Sequence, residues 1–70
     1  MPKERTIGSI IQMYRKKIGL TQEELALKSG ILYTTLIKIE GGQVKNPTIK
    51  TVKKIAGALE VKVDELLNND

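Results

Sequence analysis

The side chains that could do chemistry in this 70-residue chain are hydroxyls, phenols, carboxylates, amides and cationic groups, because it contains no cysteine and no histidine. Ser9 and Ser29 are the two serines, and no imidazole is present to activate either as a nucleophile. Disulfide bonds and thiolate or imidazole metal sites are excluded for the same reason. We therefore expect no enzyme, no metal and no cofactor, and interpret the polar side chains as binding groups.

Charge is divided unevenly along the chain. Residues 1–54 contain 11 Lys or Arg against 4 Asp or Glu, whereas residues 55–70 contain 1 against 4, which together give the net charge of +4. This asymmetry favours a basic surface for a polyanion, with an acidic end held away from it. A well-solvated surface is the alternative that charge alone leaves open.

The elements that must position these groups are predicted to be helices. Apolar residues recur at intervals of three and four in the first segment, which is typical of an amphipathic helix that stops at Gly19. They are Ile7, Ile10, Ile11, Tyr14 and Ile18. Thr21 stands three residues before Glu24, the spacing of a capping box, so a second helix should run from Gln22 to about Lys28 and end at Gly30.

A third short helix is predicted over residues 33–40, closed by Gly41 and Gly42. Leu36 and Ile39 lie on one side of it, which turns its polar side chains outward. Two short helices joined by a glycine-containing turn, in a small basic all-α chain, are typical of proteins in which one helix enters the DNA major groove while the other crosses the backbone.

The remaining segment predicts a fourth helix capped by Thr48 and a last turn or short helix over residues 61–67. Expected inward-facing residues of the fourth helix are Ile49, Val52, Ile55, Ala56 and Leu59, and those of the last are Val63, Leu66 and Leu67. Strand-like alternation is absent from the sequence, so we expect an all-α fold. No apolar run in it approaches membrane-spanning length, and we expect a cytoplasmic protein.

Three segments, GLTQEELALKSG, ILYTTLIKIEGG and NPTIKTVKKIAGALEV, occur in an order and spacing that resemble the lambdoid phage repressor and Cro family of helix-turn-helix proteins, which includes restriction-modification controller proteins. The resemblance covers roughly residues 7–67. It implies a compact five-helix domain, a homodimer on a pseudo-palindromic operator, and control of transcription. We expect one domain over residues 1–70, with its core in 6–67 and the helix-turn-helix at about 21–41.

In this resemblance, Tyr33, Thr34 and Lys38 occupy the first, second and sixth positions of the recognition helix, where side chains reach base edges. Lys38 can donate to guanine O6 and N7, and Thr34 can bond a base or touch a thymine methyl group. Tyr33 can hydrogen-bond or stack on a sugar. On an unrelated surface helix the same residues would simply be solvated.

Phosphate contacts are expected from six further side chains: Thr21, Gln22, Thr35, Gln43, Lys45 and Asn46. Gln22 matches the family's phosphate-binding glutamine, and its backbone amide belongs to a helix N-terminus, whose partial positive charge favours anions. A plain capping box and a solvated loop are the alternatives for these residues. The lysines of the fourth helix, Lys50, Lys53 and Lys54, are interpreted as solubility charges.

Arg15 and Glu40 match a structural ion pair of several family members, which links the first helix to the end of the recognition helix. The expected homodimer surface is the C-terminal region, formed by Val61, Val63, Leu66 and Leu67.

Several residues depart from the family pattern. Leu32 stands where Ser or another capping residue is usual, so the recognition helix should begin uncapped, with its start displaced or frayed. Gly41 removes an expected phosphate contact. Leu27, Leu32 and Ile37 are apolar where the family is polar. They suggest an alternative function, a protein-interaction or multimerisation module that keeps the fold without reading DNA.

Overall fold

The computed structural model describes residues 6–67, in which five α-helices and no strand are present. The helices are α1 (Ile7–Lys17), α2 (Gln22–Ser29), α3 (Tyr33–Glu40), α4 (Ile49–Leu59) and α5 (Val63–Leu67). The predicted all-α fold is confirmed. Four charged residues that enter the count of charges along the chain lie outside the described residues: Lys3, Glu4, Arg5 and Asp70. No helix within residues 6–67 is long and apolar enough to cross a membrane.

Threonine side chains fix the starts of three helices. At α2, Thr21 Oγ1 accepts a hydrogen bond from the Glu24 backbone N–H (3.1 Å), and the Glu24 carboxylate accepts one from the Thr21 N–H (2.8 Å). At α4, Thr48 Oγ1 accepts a hydrogen bond from the Thr51 backbone N–H at 3.2 Å. Both caps were predicted, whereas the box formed by Thr6 and Ser9 at the start of α1 was not. Each cap satisfies backbone donors that a helix start otherwise leaves unpaired.

The short turn between α2 and α3 depends on Gly30. Its φ of 75° lies in the left-handed region that glycine adopts without a steric penalty. The Gly30 N–H donates to the Ala26 carbonyl at 2.9 Å, and the Ile31 N–H donates to the same carbonyl at 3.2 Å. Ile31 packs against the core. The chain therefore reverses within residues 30–32, and α2 and α3 are held in contact.

The hydrophobic core joins all five helices. Helix α2 packs on α3 and α4, α1 packs on α3, and α5 closes the assembly against α4 and α1. The largest fully buried side chains are Ile11, Leu25, Leu36, Ile39, Val52, Ile55 and Leu66. Burial of such side chains contributes roughly 1.5–3 kcal/mol each, and it is the main stabilising term in a chain without disulfides.

Three predicted orientations are wrong, all near the ends of helices. Ile18 lies beyond the last residue of α1, and Ile49 is the first residue of α4; both are exposed, because neighbouring helices do not cover these ends. Leu67 is 44% exposed, because the adjacent Leu66 points into the core with 0% exposure. The prediction that Leu66 lies on the homodimer surface is wrong, because its side chain is buried within the monomer.

Gly8 sets the distance between α1 and α3. A Cβ at this position would overlap the backbone carbonyl oxygen of Ile39 and lie 3.2 Å from the Cα of Glu40. Both atoms belong to the backbone, so no side-chain rotation can relieve the overlap. The close approach brings the C-terminal end of α3 against α1, where Arg15 also lies.

Candidate nucleic-acid interface

Helix α3 presents two different faces. Leu36 and Ile39 are buried in the core, as predicted. Tyr33, Thr34 and Lys38 are exposed, and Thr35 is half-buried. Thr34 and Lys38 are separated by four positions, so they are neighbours on the outward face of the helix. The ion pairs among residues 6–67 join Arg15 to Glu40 and Lys28 to Glu60, so no carboxylate there is paired with the Lys38 ammonium group.

The start of α3 has no side-chain cap in the described part of the chain, because Leu32 occupies the cap position with extended backbone angles (φ −68°, ψ 140°). The uncapped start is as predicted, but α3 begins at Tyr33 and is not displaced. Leu32 is 72% exposed and Leu27, on α2, is 84% exposed. Both line a shallow hollow of about 390 Å³, together with Tyr33.

The loop after α3 is attached to the helix by its backbone. The N–H groups of Gln43 and Val44 both donate to the Lys38 carbonyl, at 2.9 and 3.1 Å. Val44 packs against the core, whereas Gln43, Lys45 and Asn46 are exposed. The loop therefore presents one amide, one ammonium group and a second amide next to the C-terminal end of α3.

A buried ion pair lies beneath this surface. The Arg15 Nε and Nη2 atoms donate to the two carboxylate oxygens of Glu40, at 2.7 and 3.0 Å, and Arg15 Nη1 donates to the Leu20 carbonyl at 2.8 Å. The side chains of Arg15 and Glu40 are 9% and 1% exposed. The two-point geometry ties α1, the loop before α2 and the end of α3 together.

Gln22 joins this cluster, which the sequence did not indicate. Its Nε2 donates to Glu40 Oε1 at 3.0 Å, and its side chain is half-buried at the first residue of α2. Gln22 and Glu40 are 18 positions apart, on different helices. No periodicity or motif relates such a pair, so only the packing of α2 on α3 could have revealed the bond.

The structure thus brings two sets of predicted residues close to one another. Tyr33, Thr34 and Lys38 lie on the outward face of α3, and Gln43, Lys45 and Asn46 follow on the attached loop. Thr21 is exposed at the start of α2, with its hydroxyl oxygen accepting the capping bond. Lys50, Lys53 and Lys54 are exposed on α4. An outward helix face with hydrogen-bonding groups, flanked by a helix N-terminus and a polar loop, can bind a phosphodiester backbone and the base edges between its strands.

Residues 11–66 match the sequence pattern of the Helix-turn-helix family. The chain belongs to the helix-turn-helix family. Among curated relatives, it is 42% identical over 62 residues to the HTH-type transcriptional regulator SlrR of Bacillus subtilis, which covers 89% of this chain and 41% of that protein. It is 40% identical over 62 residues to SinR of Bacillus licheniformis, with coverage of 89% and 56%. The chain thus spans about half the length of these helix-turn-helix relatives.

Solved helix-turn-helix structures share the fold. The SinR structure in complex with DNA superimposes with a TM-score of 0.88 at 38% identity, covering 90% of this chain and all of that one. The restriction-modification controller C.AhdI of Aeromonas hydrophila gives 0.81 at 33% identity, with coverage of 86% and 89%. The P22 c2 repressor gives 0.84 at 24% identity, covering 94% and 98%. The predicted resemblance to phage repressors and controller proteins is confirmed, with the P22 c2 repressor showing the fold alone.

Proposed function

We propose that this chain is a sequence-specific regulator of transcription that binds double-stranded DNA, with α3 as the recognition helix in the major groove. The observation that carries the proposal is the exposure of Thr34 and Lys38 on the outward face of α3. The opposite face of the helix is buried in the core. Residues 6–67 would act as one DNA-binding domain, with the helix-turn-helix over 21–41. Such a regulator would act in the cytoplasm, where bacterial and phage DNA is transcribed.

Base readout is assigned to three residues of α3. The Lys38 ammonium group would donate to guanine O6 and N7, and the Thr34 hydroxyl, one turn earlier, would contact the neighbouring base. Tyr33, at the exposed start of the helix, would hydrogen-bond to a base edge or stack against a backbone sugar. Ile37, on the same side of α3 and 37% exposed, is suited to a thymine methyl group.

Phosphate contacts are assigned to both ends of the helix pair. Thr21 and Gln22 would hold a phosphate at the N-terminus of α2, where backbone N–H groups and the helix dipole favour an anion. Lys45, with Gln43 and Asn46, would hold a second phosphate from the loop. Thr35 would contact the backbone beside the groove. These contacts position the recognition helix without reading sequence.

Selection from a random duplex pool, followed by titration at several salt concentrations, tests the proposal. We expect one enriched consensus and an affinity that falls with salt, with a log–log slope of about −0.9 for each phosphate neutralised. Failure to enrich any sequence, together with salt-independent binding, would contradict the proposal.

Substitution of two lysines by methionine should separate base readout from backbone binding. Lys38→Met should weaken binding to the selected duplex by about 10- to 100-fold and relax preference at one base pair. Lys45→Met should weaken binding to all duplexes by the same factor and reduce the magnitude of the salt slope by about 1. Lys53→Met, on the exposed face of α4, is the control with the same charge change. If the three substitutions had equal effects, Lys38 would contribute only its positive charge and would read no base.

A homodimer is proposed through the C-terminal region, with Leu66 removed from the predicted surface. Val61 and Val63 are half-buried and Leu67 is exposed, so these three remain available to a second copy. Two copies would read half-sites about one helical turn, roughly 34 Å, apart, which increases discrimination.

Analytical ultracentrifugation checks this surface. Leu67→Lys should weaken self-association by at least about tenfold, because a charge is costly in a desolvated interface. Leu27→Lys, at a more exposed leucine on α2, is the control and should leave association unchanged. The same loss in both variants, or in neither, would place the contact elsewhere.

A further inference from the structure

The buried carboxylate of Glu40 receives hydrogen bonds from two different helices. Arg15, on α1, donates to both of its oxygens, and Gln22, on α2, donates to Oε1 at 3.0 Å. The Glu40 side chain is 1% exposed, so water contributes little to its solvation. Its charge is therefore balanced by these donors, and the position of the Gln22 amide is fixed by a charge-assisted bond.

This bond determines which atoms Gln22 can offer to a ligand. The Nε2 group carries two hydrogens, and a planar amide directs them about 120° apart. One hydrogen is directed to Glu40, which leaves the second on the other edge of a half-buried side chain at the N-terminus of α2. An amide held in this orientation is a donor ready for an anion before the anion arrives, so less rotamer entropy is lost on binding.

We infer that Glu40 is a positioning residue for the phosphate contact of Gln22, and that Arg15 makes this arrangement compatible with DNA by cancelling the carboxylate charge. The inference rests on the proposed function and extends it to two residues that do not themselves touch DNA. Without Arg15, a carboxylate one side chain away from the phosphate would repel it. Without the carboxylate, the Gln22 amide would rotate freely between orientations that present either oxygen or nitrogen to the phosphate.

A double-mutant cycle between Gln22 and the Arg15–Glu40 pair tests the inference on the selected duplex. Fluorescence anisotropy would compare wild type, Gln22→Ala, Arg15→Met/Glu40→Leu and the triple variant under conditions where thermal melts show all four folded. The Met and Leu side chains replace the buried pair by apolar groups of similar size, which proteins often tolerate, and leave Gln22 without its acceptor. We expect Gln22→Ala to weaken binding about tenfold or more in the wild-type background but about twofold or less when Arg15 is Met and Glu40 is Leu. If Glu40 had a purely structural role, Gln22→Ala would weaken binding by the same factor in both backgrounds, and that result would overturn the inference.

Two further variants make the outcome decisive. Glu60→Gln removes a carboxylate from the exposed pair with Lys28, so the Gln22→Ala factor should stay at about tenfold in that background. Glu40→Gln keeps one oxygen that can accept from the Gln22 amide, so Gln22→Ala should weaken binding in that background by more than in the Arg15→Met/Glu40→Leu background. A weakening of about tenfold by Gln22→Ala in the Arg15→Met/Glu40→Leu background contradicts the inference. Absence of wild-type binding to any duplex would instead refute the proposed function.

Discussion

Replacement of Glu40 by alanine is expected to lower the free energy of unfolding by about 3–5 kcal/mol, because it leaves the Arg15 guanidinium buried without a counter-charge. Arg15 is held by 2.7 and 3.0 Å bonds to Glu40 and is itself buried, so it cannot move into water without disturbing α1. For a chain of this size, with a total stability of roughly 3.5–10 kcal/mol, such a loss removes about a third or more of the free energy of unfolding. Urea denaturation followed by circular dichroism measures it.

Two control variants test whether the loss of stability comes from the stranded charge. Lys28→Ala removes one partner of the exposed pair with Glu60, whose 3.5 Å separation and solvent exposure make it weak, so the midpoint of unfolding should change little. Arg15→Met/Glu40→Leu should recover most of the stability lost in Glu40→Ala, because no charge is then stranded. Equal destabilisation by Glu40→Ala and Lys28→Ala would show that the buried pair has no special role.

Introduction of a single methyl group at Gly8 is expected to destabilise the fold by about 3 kcal/mol, at the upper end of typical overpacking costs. The new Cβ would overlap the carbonyl oxygen of Ile39, so α1 and α3 would have to separate. Differential scanning calorimetry should show a lower melting temperature, by roughly 4–8 °C for each kcal/mol lost.

Gly57→Ala is the matched control for Gly8→Ala. Gly57 lies within α4, is exposed, and has open space where a Cβ would be placed. The same substitution should therefore raise stability by about 0.5–1 kcal/mol, because alanine loses less backbone entropy than glycine in a helix. Opposite signs at the two positions are the expected result. A neutral Gly8→Ala would mean that α1 and α3 are not held at the distance seen here.

Much of the fold could be predicted because its determinants are local. Thr21, Gly30 and Thr48 act through bonds to residues at most four positions away, so their effects on α2 and α4 are readable from spacing. The outward face of α3 followed from Leu36 and Ile39 in the same way. The predicted starts of α2 and α4 and the predicted buried side of α3 are therefore confirmed.

The errors and omissions share a different origin. Ile18 and Leu67 were assigned inward because apolar spacing continues to the helix ends, but the neighbouring helices do not reach there. Gly8 was missed because a contact between two backbones leaves no apolar pattern in the sequence. The bond from Gln22 to Glu40 depends on how α2 lies on α3, which is a property of the assembled core.

Under the proposed function, the uncapped start of α3 links DNA discrimination to the packing of Ile31. With Leu32 at the cap position, the first turn of the recognition helix is held by Ile31 and Leu36 packing inward, and not by a side-chain bond of its own. Local unfolding of that turn therefore costs less than global unfolding. Under the proposed function, a substitution that removes the Ile31 contact would first increase the population of a frayed first turn of α3, so sequence preference would broaden while the protein as a whole remained folded.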